Sequence, residues 1–398
     1  MVSSAYEHIV AIVVVGAIFI GTVVALPATV YSNLETLDQQ QLRNTALNVF
    51  DSMLLNVGSP PNWGSRLVFD TGVPHFDPTS VKTFGLAFQD PFSKFVLDPD
   101  KMQRLNPAEL SYEGVRDLLK LEDYGFQFSL YRPFRVNSSL SITDSSVSFS
   151  VNVTRTEDGT PIPNAEVKVT TMVTAKSTKK LEDLPDIYEP IPPTYGTTDI
   201  KGSYQRTLYP EGYEDLEDYA LKYAIAIMEI TVAGMSTTVI AQNDPSITQY
   251  IQMRTYGDNV VLSVRNETLI PEDPGAEREI LNVQAYDNEN LIPILSESQK
   301  ITWGKGYENV TMVFEGIRSL KPTVLLMVLE VNLKATPGVP GSGGPTLVLV
   351  AGPFSFADSG KVFQFGNNPK SENVIVTMRR LVVMSDMTYV ATLSFWRE

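Results

Sequence analysis

Five carboxylates crowd into one short stretch of the sequence: Glu211, Glu214, Asp215, Glu217 and Asp218. Oxygens so closely spaced could chelate Ca²⁺, which takes about six to eight oxygen ligands in flexible geometry. The stretch lacks EF-hand spacing and any alternation with Asn or Gly, so a solvated acidic loop over 211–218 is the default against which calcium stands. Paired carboxylates could also cleave a glycosidic bond, but such partners come from distant strands and nothing singles out a pair. Of the two histidines, His8 abuts a long apolar run, and His75 sits in Val73-Pro74-His75-Phe76-Asp77. A general base needs a nucleophile or metal to act on; with none recognisable, His75 reads as a loop residue on the surface. No G-x-S-x-G, Walker A, H-E-x-x-H or G-x-G-x-x-G pattern occurs. Gly341-Ser342-Gly343-Gly344 has no lysine beside it and prolines on both sides, which makes it a hairpin loop and not a phosphate cradle. The absence of cysteine excludes disulfides, thiolate metal sites and cysteine nucleophiles. No catalytic, cofactor-binding or metal residue is therefore assigned, and the chain is expected not to be an enzyme.

The elements that would position any chemistry begin with a membrane signal. From Ile9 to Leu26 the chain carries no charge, and Thr22 is its only polar side chain. A helix of that length spans roughly 27 Å, close to the hydrocarbon thickness of a bilayer. Its Ile, Val, Leu and Phe residues contribute about −4 to −7 kcal/mol to insertion. Residues 1–8 have no Lys or Arg and Ala25-Leu26-Pro27-Ala28 is a poor cleavage sequence, so residues 9–26 are expected to be an uncleaved anchor in lipid. The net charge of −15 without any long basic run argues against a nucleic-acid partner. Beyond the anchor, Val30, Leu34, Leu37, Leu42, Ala46, Val49 and Met53 recur at helical spacing among polar residues. Pro27 is expected to kink this helix and Gly58-Ser59-Pro60-Pro61 to end it.

At this point the chain resembles archaeal type IV pilin-like surface proteins with class III signal peptides. The resemblance covers residues 3–135. It rests on Glu7 ahead of the apolar run and on Gly58-Ser59-Pro60-Pro61-Asn62-Trp63-Gly64, Phe84-Gly85-Leu86-Ala87, Leu97-Asp98-Pro99-Asp100-Lys101 and Tyr112-Glu113-Gly114-Val115-Arg116-Asp117-Leu118-Leu119. It implies a cell-surface protein that assembles through its N-terminal helix. The sequence departs from the family in its leader: pilins carry a basic segment there, and here only Met1-Val2 precede Ser3.

The fold class expected is mainly β. An anchor and stalk helix (1–56) leads to a small mixed α/β platform (57–135), with a short helix within Leu105–Leu121 and a strand over Phe126–Leu130. Residues 136–245 alternate with period two and turn at Glu157-Asp158-Gly159-Thr160 and Asp199-Ile200-Lys201-Gly202; their order resembles bacterial immunoglobulin-like and carboxypeptidase-regulatory-like modules, which are spacers in surface proteins. Strand spacing alone gives a β-sandwich. Residues 246–398 read as a second sandwich or jelly roll with eight strands, among them Ile280–Tyr286, Thr323–Leu333 and Asn373–Met378. Its last strand, Tyr389–Phe395, is expected either to close that sandwich or to be donated to a second copy. Four N-x-S/T sequons, at Asn137, Asn152, Asn266 and Asn309, fall in these outer modules, a number near that of chance. The function expected is a membrane-anchored structural or adhesive surface protein. The alternative is an anchored carbohydrate or ligand binder using Trp303, Tyr307, Phe354 and Phe356, aromatics whose ordinary role is core packing.

Overall fold

The computed structural model describes Val15 and residues 38–68, 75–89, 94–177, 187–209, 219–243, 251–264, 278–286, 291–295, 301–303, 310–314, 325–333, 344–352, 363–371, 373–385 and 387–398. Apart from Val15, the run Ile9–Leu26 lies outside the described residues, as do His8, the acidic loop 211–218, Asn266, Tyr307, Asn309, Phe354, Phe356 and the side chain of Trp303. Among the described residues no helix is long and apolar enough to cross a membrane.

The chain is mainly β, folded into several antiparallel sheets. It enters as helix α1, described over 38–55, which buries Leu42, Ala46, Val49, Phe50, Met53 and Leu54. These positions form one stripe at three- and four-residue spacing, as the sequence predicts. Short elements follow: strands β1 (Leu67–Val68) and β2 (His75–Phe76), and helices α2 (Pro99–Gln103) and α3 (Tyr112–Leu119). Ser111 caps α3 by accepting from the Gly114 amide, and the Tyr112 hydroxyl accepts from the amide of Phe126 in strand β3 (Tyr124–Tyr131).

From β3 the chain leaves for a long excursion. Strands β4 (Phe134–Ile142), β5 (Val147–Arg155) and β8 (Ser203–Leu208) form a three-stranded sheet in the order β4-β5-β8. Strands β6 (Glu166–Ser177), β7 (Ile187–Thr197), β9 (Tyr219–Val232) and β10 (Met235–Gln242) form a four-stranded sheet in the order β10-β9-β6-β7. Phe134, Val136, Phe149 and Val151 from the first sheet share one buried core with Val167, Val169, Met228 and Ile230 from the second. Ala233 and Gly234, both at positive φ, make the two-residue turn from β9 to β10.

Strand β7 runs through Pro190, Pro192 and Pro193. Its prolines are tolerated because it is an edge strand, where one side of the backbone needs no partner. Pro192 and Pro193 fall where the register against β6 shifts, between Val169↔Thr194 and Thr171↔Ile191, so the bulge absorbs both.

The next strands form two further sheets. β11 (Ile251–Tyr256), β12 (Asn259–Val264) and β16 (Val310–Phe314) make one; β13 (Arg278–Tyr286), β14 (Leu291–Leu295), β15 (Ile301–Trp303), β17 (Leu325–Leu333) and β18 (Gly344–Gly352) make the other. The chain then returns to where the excursion began. Strands β19 (Phe363–Gly366), β20 (Ile375–Met384) and β21 (Met387–Arg397) join β3 in the order β19-β3-β21-β20.

This return differs from the expected arrangement. The final strand is not paired with the strands of 251–352 among the described residues; it lies between β3 and β20, with Phe395 opposite both Phe126 and Val376. The alternation Tyr389, Ala391, Leu393, Phe395 marks the apolar face as read, but that face shares a core with α1. Alternation fixes which side of a strand is buried and is silent about which strand lies beside it. Both edges of β21 are occupied within the chain, so donating it to a second copy would break two ladders.

Candidate functional site

The four motifs that carry the family resemblance lie far apart along 58–119, and three of them meet at the C-terminal end of α1. A helix leaves its last carbonyls without partners and carries a partial negative charge there. Here the Leu86 amide donates to Met53 O (2.8 Å) and the Ala87 amide to Asn56 O (3.1 Å). The Lys101 ammonium completes the seal, donating to Val57 O at 2.8 Å and Ala87 O at 2.7 Å. Lys101 has no solvent-exposed surface.

The fit is close because two positions have no Cβ. One on Gly85 would stand 2.1 Å from Asn56 O, and one on Gly64 would stand 2.4 Å from the Lys101 backbone nitrogen. Trp63 fills the space between them, buried against Phe76 and Phe84, and its indole N–H donates to Gly85 O at 3.0 Å. Asp98 caps α2 by accepting from the Asp100 and Lys101 amides, and its other oxygen lies 3.6 Å from the Lys101 ammonium.

A second layer of charge locks this socket to the excursion. The Asp100 carboxylate accepts from Ser65 Oγ (2.8 Å), the Gly257 amide (2.8 Å) and the Thr255 hydroxyl. Arg104, also fully buried, donates to Thr255 O and Glu109 Oε1, each at 2.7 Å, and stacks 3.8 Å from the Tyr256 ring centroid. Glu109 Oε1 receives Arg254 as well, at 3.1 Å. The hairpin β11–β12 is thus pinned to α2 by side chains that are hydrogen-bonded on both sides.

Burial governs the electrostatics. It pushes the Asp98 carboxyl above the ordinary carboxylate range, reinforced by the neighbouring Asp100 and opposed by Lys101. It likewise pulls the Lys101 ammonium below the ordinary lysine range, against the pull of Asp98. Both shifts say that the pair is costly to bury as ions and is retained because the partners are in place. His75, expected as a surface loop residue, lies instead on β2 opposite Val68 and is half-buried. Among the described residues no cluster of three or more His, Asp or Glu could hold a metal ion. What the arrangement does is grip: its donors and acceptors are spent on one another and on backbone carbonyls.

No family model matches this chain, and no curated protein does. Among solved structures, a red sea bream transglutaminase is similar over 55% of this chain and 31% of its own, at 10% identity and a TM-score of 0.17. An Escherichia coli alpha-2-macroglobulin is similar over 63% and 23%, at 10% identity and 0.18. The Yersinia pseudotuberculosis adhesin InvE is similar over 64% and 74%, at 12% identity and 0.16. The chain spans less than a third of the first two. Scores this low carry no argument about fold or function.

The socket residues stand in motifs quoted from the sequence for the resemblance, but no functional role was read for them and their meeting was not foreseen. The available signal was Asp98-Pro99, an N-cap followed by proline at the first helical position, which starts a helix and places Lys101 on its first turn. A second concavity, of about 530 Å³, lies at the opposite end of α1 between Asp38, Leu42, Tyr124, Val374 and Arg397. Arg397 reaches Asp38 across it at 3.8 Å.

Proposed function

We propose that this protein is a membrane-anchored, extracytoplasmic structural or adhesive surface protein of the pilin-like kind its N-terminal third resembles. In this reading residues 9–26 lie in lipid, and sandwich modules of immunoglobulin-like character project from a platform fixed to the stalk. The observation that carries it is the socket: the end of α1, the helix that the sequence pattern places after the apolar run, is capped, wedged by Trp63 and sealed by a buried lysine. A catalytic module needs an open cleft with groups free to react. A tethered module needs a joint that does not swivel, and the socket supplies one. The two facing sheets of β4–β10, with their common core, support the sandwich reading.

Cell fractionation with protease treatment tests this. The full chain, tagged after Glu398, should sediment with membranes, be released by detergent and not by salt, and lose its tag when protease is added to intact cells. Recovery in the soluble fraction, or a tag protected until the cells are lysed, would refute the reading.

A further inference from the structure

The outer face of the β4-β5-β8 sheet has an unusual composition. The outward positions are 135, 137, 139 and 141 on β4, 148, 150, 152 and 154 on β5, and 203, 205 and 207 on β8; the alternate positions carry the core residues Phe134, Val136, Val147, Phe149, Val151, Val153 and Leu208, with Ser138 and the exposed Arg206 among them. Among these eleven there is one charge, Arg135, and no aliphatic or aromatic side chain; all others are Ser, Thr, Asn or Gln. Hydroxyls pair across the strands, Ser139 with Ser150 at 2.8 Å and Ser148 with Thr207 at 2.9 Å. Such a face offers no apolar area for a protein partner to bury.

Two sequons lie on this face, and the fold puts them side by side. Asn137 and Asn152 are directly opposite each other in the β4–β5 register. Because side chains two residues apart on a strand share a face, the hydroxyl of each sequon, Ser139 or Thr154, also points outward. The two asparagines are not equivalent. Asn152 is on the central strand, and its amide nitrogen donates to Ser203 Oγ at 3.0 Å and to Lys201 O at 3.4 Å. Asn137 is on the outer strand of the sheet and is exposed. Directly opposed Cβ atoms are about 4.5–5.5 Å apart, too close for a sugar on each.

We propose that Asn137 carries an N-linked glycan, that Asn152 does not, and that the hydroxyl- and amide-rich face is the surface this glycan covers. The choice does not depend on whether transfer precedes folding: a sugar on Asn152 would have to displace the bonds to Ser203 and Lys201 between two neighbouring strands, whereas one on Asn137 leaves the sheet at its margin. In the transfer, Asn137 Nδ2 exchanges one hydrogen for a bond to the anomeric carbon of a sugar. The donor is a lipid-linked sugar phosphate; its anomeric C–O bond breaks with the electron pair staying on the phosphate, which takes up the amide proton. No oxidant or reductant is involved. The proposal rests on the surface location argued above.

Glycopeptide mass spectrometry on full-length protein from its own cells tests it, alongside N137Q and N152Q. Both asparagines fall on one tryptic peptide, residues 136–155, which has no internal Lys or Arg, so the variants make the assignment. Wild type and N152Q should carry a sugar-sized mass increase on that peptide, and N137Q should lose it entirely while keeping the wild-type melting temperature. Protease treatment of intact cells in the same preparation separates the two ideas. A protected head refutes the surface reading and this proposal with it. An accessible head with a bare Asn137, or with the sugar on Asn152, refutes this proposal alone.

Discussion

The socket at the end of α1 and the outer face of the β4-β5-β8 sheet are both built from polar side chains, and they are held by opposite means. In the socket, Asp98, Asp100, Lys101 and Arg104 are out of water, and protein partners replace the hydrogen bonds that water supplied. On the sheet, Ser139, Ser150 and Asn137 are neutral, and water remains available to most of their donors and acceptors. The same kind of hydrogen bond therefore has very different consequences in the two places. Removing a partner in the socket leaves a buried charge; removing one on the sheet leaves a site that water fills.

The comparison breaks first at Lys101. Lys101→Met should destabilise the platform by about 3–5 kcal/mol, because Asp98 is left beside Asp100 without its cation and the carbonyls of Val57 and Ala87 lose their donor. Urea unfolding of the detergent-solubilised protein measures this. A loss under about 1 kcal/mol would mean that the lysine is replaceable filling and not the seal. Gly85→Ala comes next, with about 1–3 kcal/mol expected, since its Cβ would press backbone against backbone at Asn56 O. Amide exchange should locate that loss at the last turn of α1, and uniform exchange across the platform would contradict the socket as the cause.

Asp98 sharpens the comparison through pH. Its folded-state pKa is raised above the ordinary value of 3.8, so the folded protein holds this proton more tightly than the unfolded chain. Its contribution is then fully present below pH 3.8 and is lost as pH rises through the folded value. Asp98→Asn, which keeps the cap, should therefore cost more stability near about pH 4 than near about pH 7. Equal costs at both would show that the carboxyl titrates normally. The smallest effect belongs to the sheet: Ser150→Ala should change stability by no more than about 0.5 kcal/mol, although it removes the bond to Ser139. A larger loss would mean that the hydroxyl pairs hold the strands together.

Much of the secondary structure was legible because it rests on local periodicity. The stripe Leu42, Ala46, Val49, Met53 gave α1, and alternation gave β3 and the apolar face of Tyr389–Phe395. Strand β7 was not legible, because three prolines in seven residues look like a loop until one knows that the strand lies on an edge. The pairing of β21 with β3 was hidden for a different reason. Tyr389–Phe395 displays an apolar face, but nothing in its residues distinguishes a partner at Phe126–Leu130 from one in the neighbouring module. The socket is a third case: Gly64, Gly85 and Lys101 are unremarkable singly, and only their meeting makes them necessary.

The seating of β21 between β3 and β20 also sets the order in which this protein can be completed as it is made. At about 5–20 residues per second, roughly 13 to 50 seconds separate the synthesis of Tyr131 from that of Met387. Throughout that interval the inner face of β3, with Phe126, Phe128 and Leu130, and the stripe on α1 lack the strand that joins them in one core. The β4–β10 unit has its own core within residues 134–241 and has no need to wait. The unit that α1 packs into is thus the earliest begun and the last finished, and a ribosome pausing after β18 holds it open and sticky beside a β4–β10 unit that has already set.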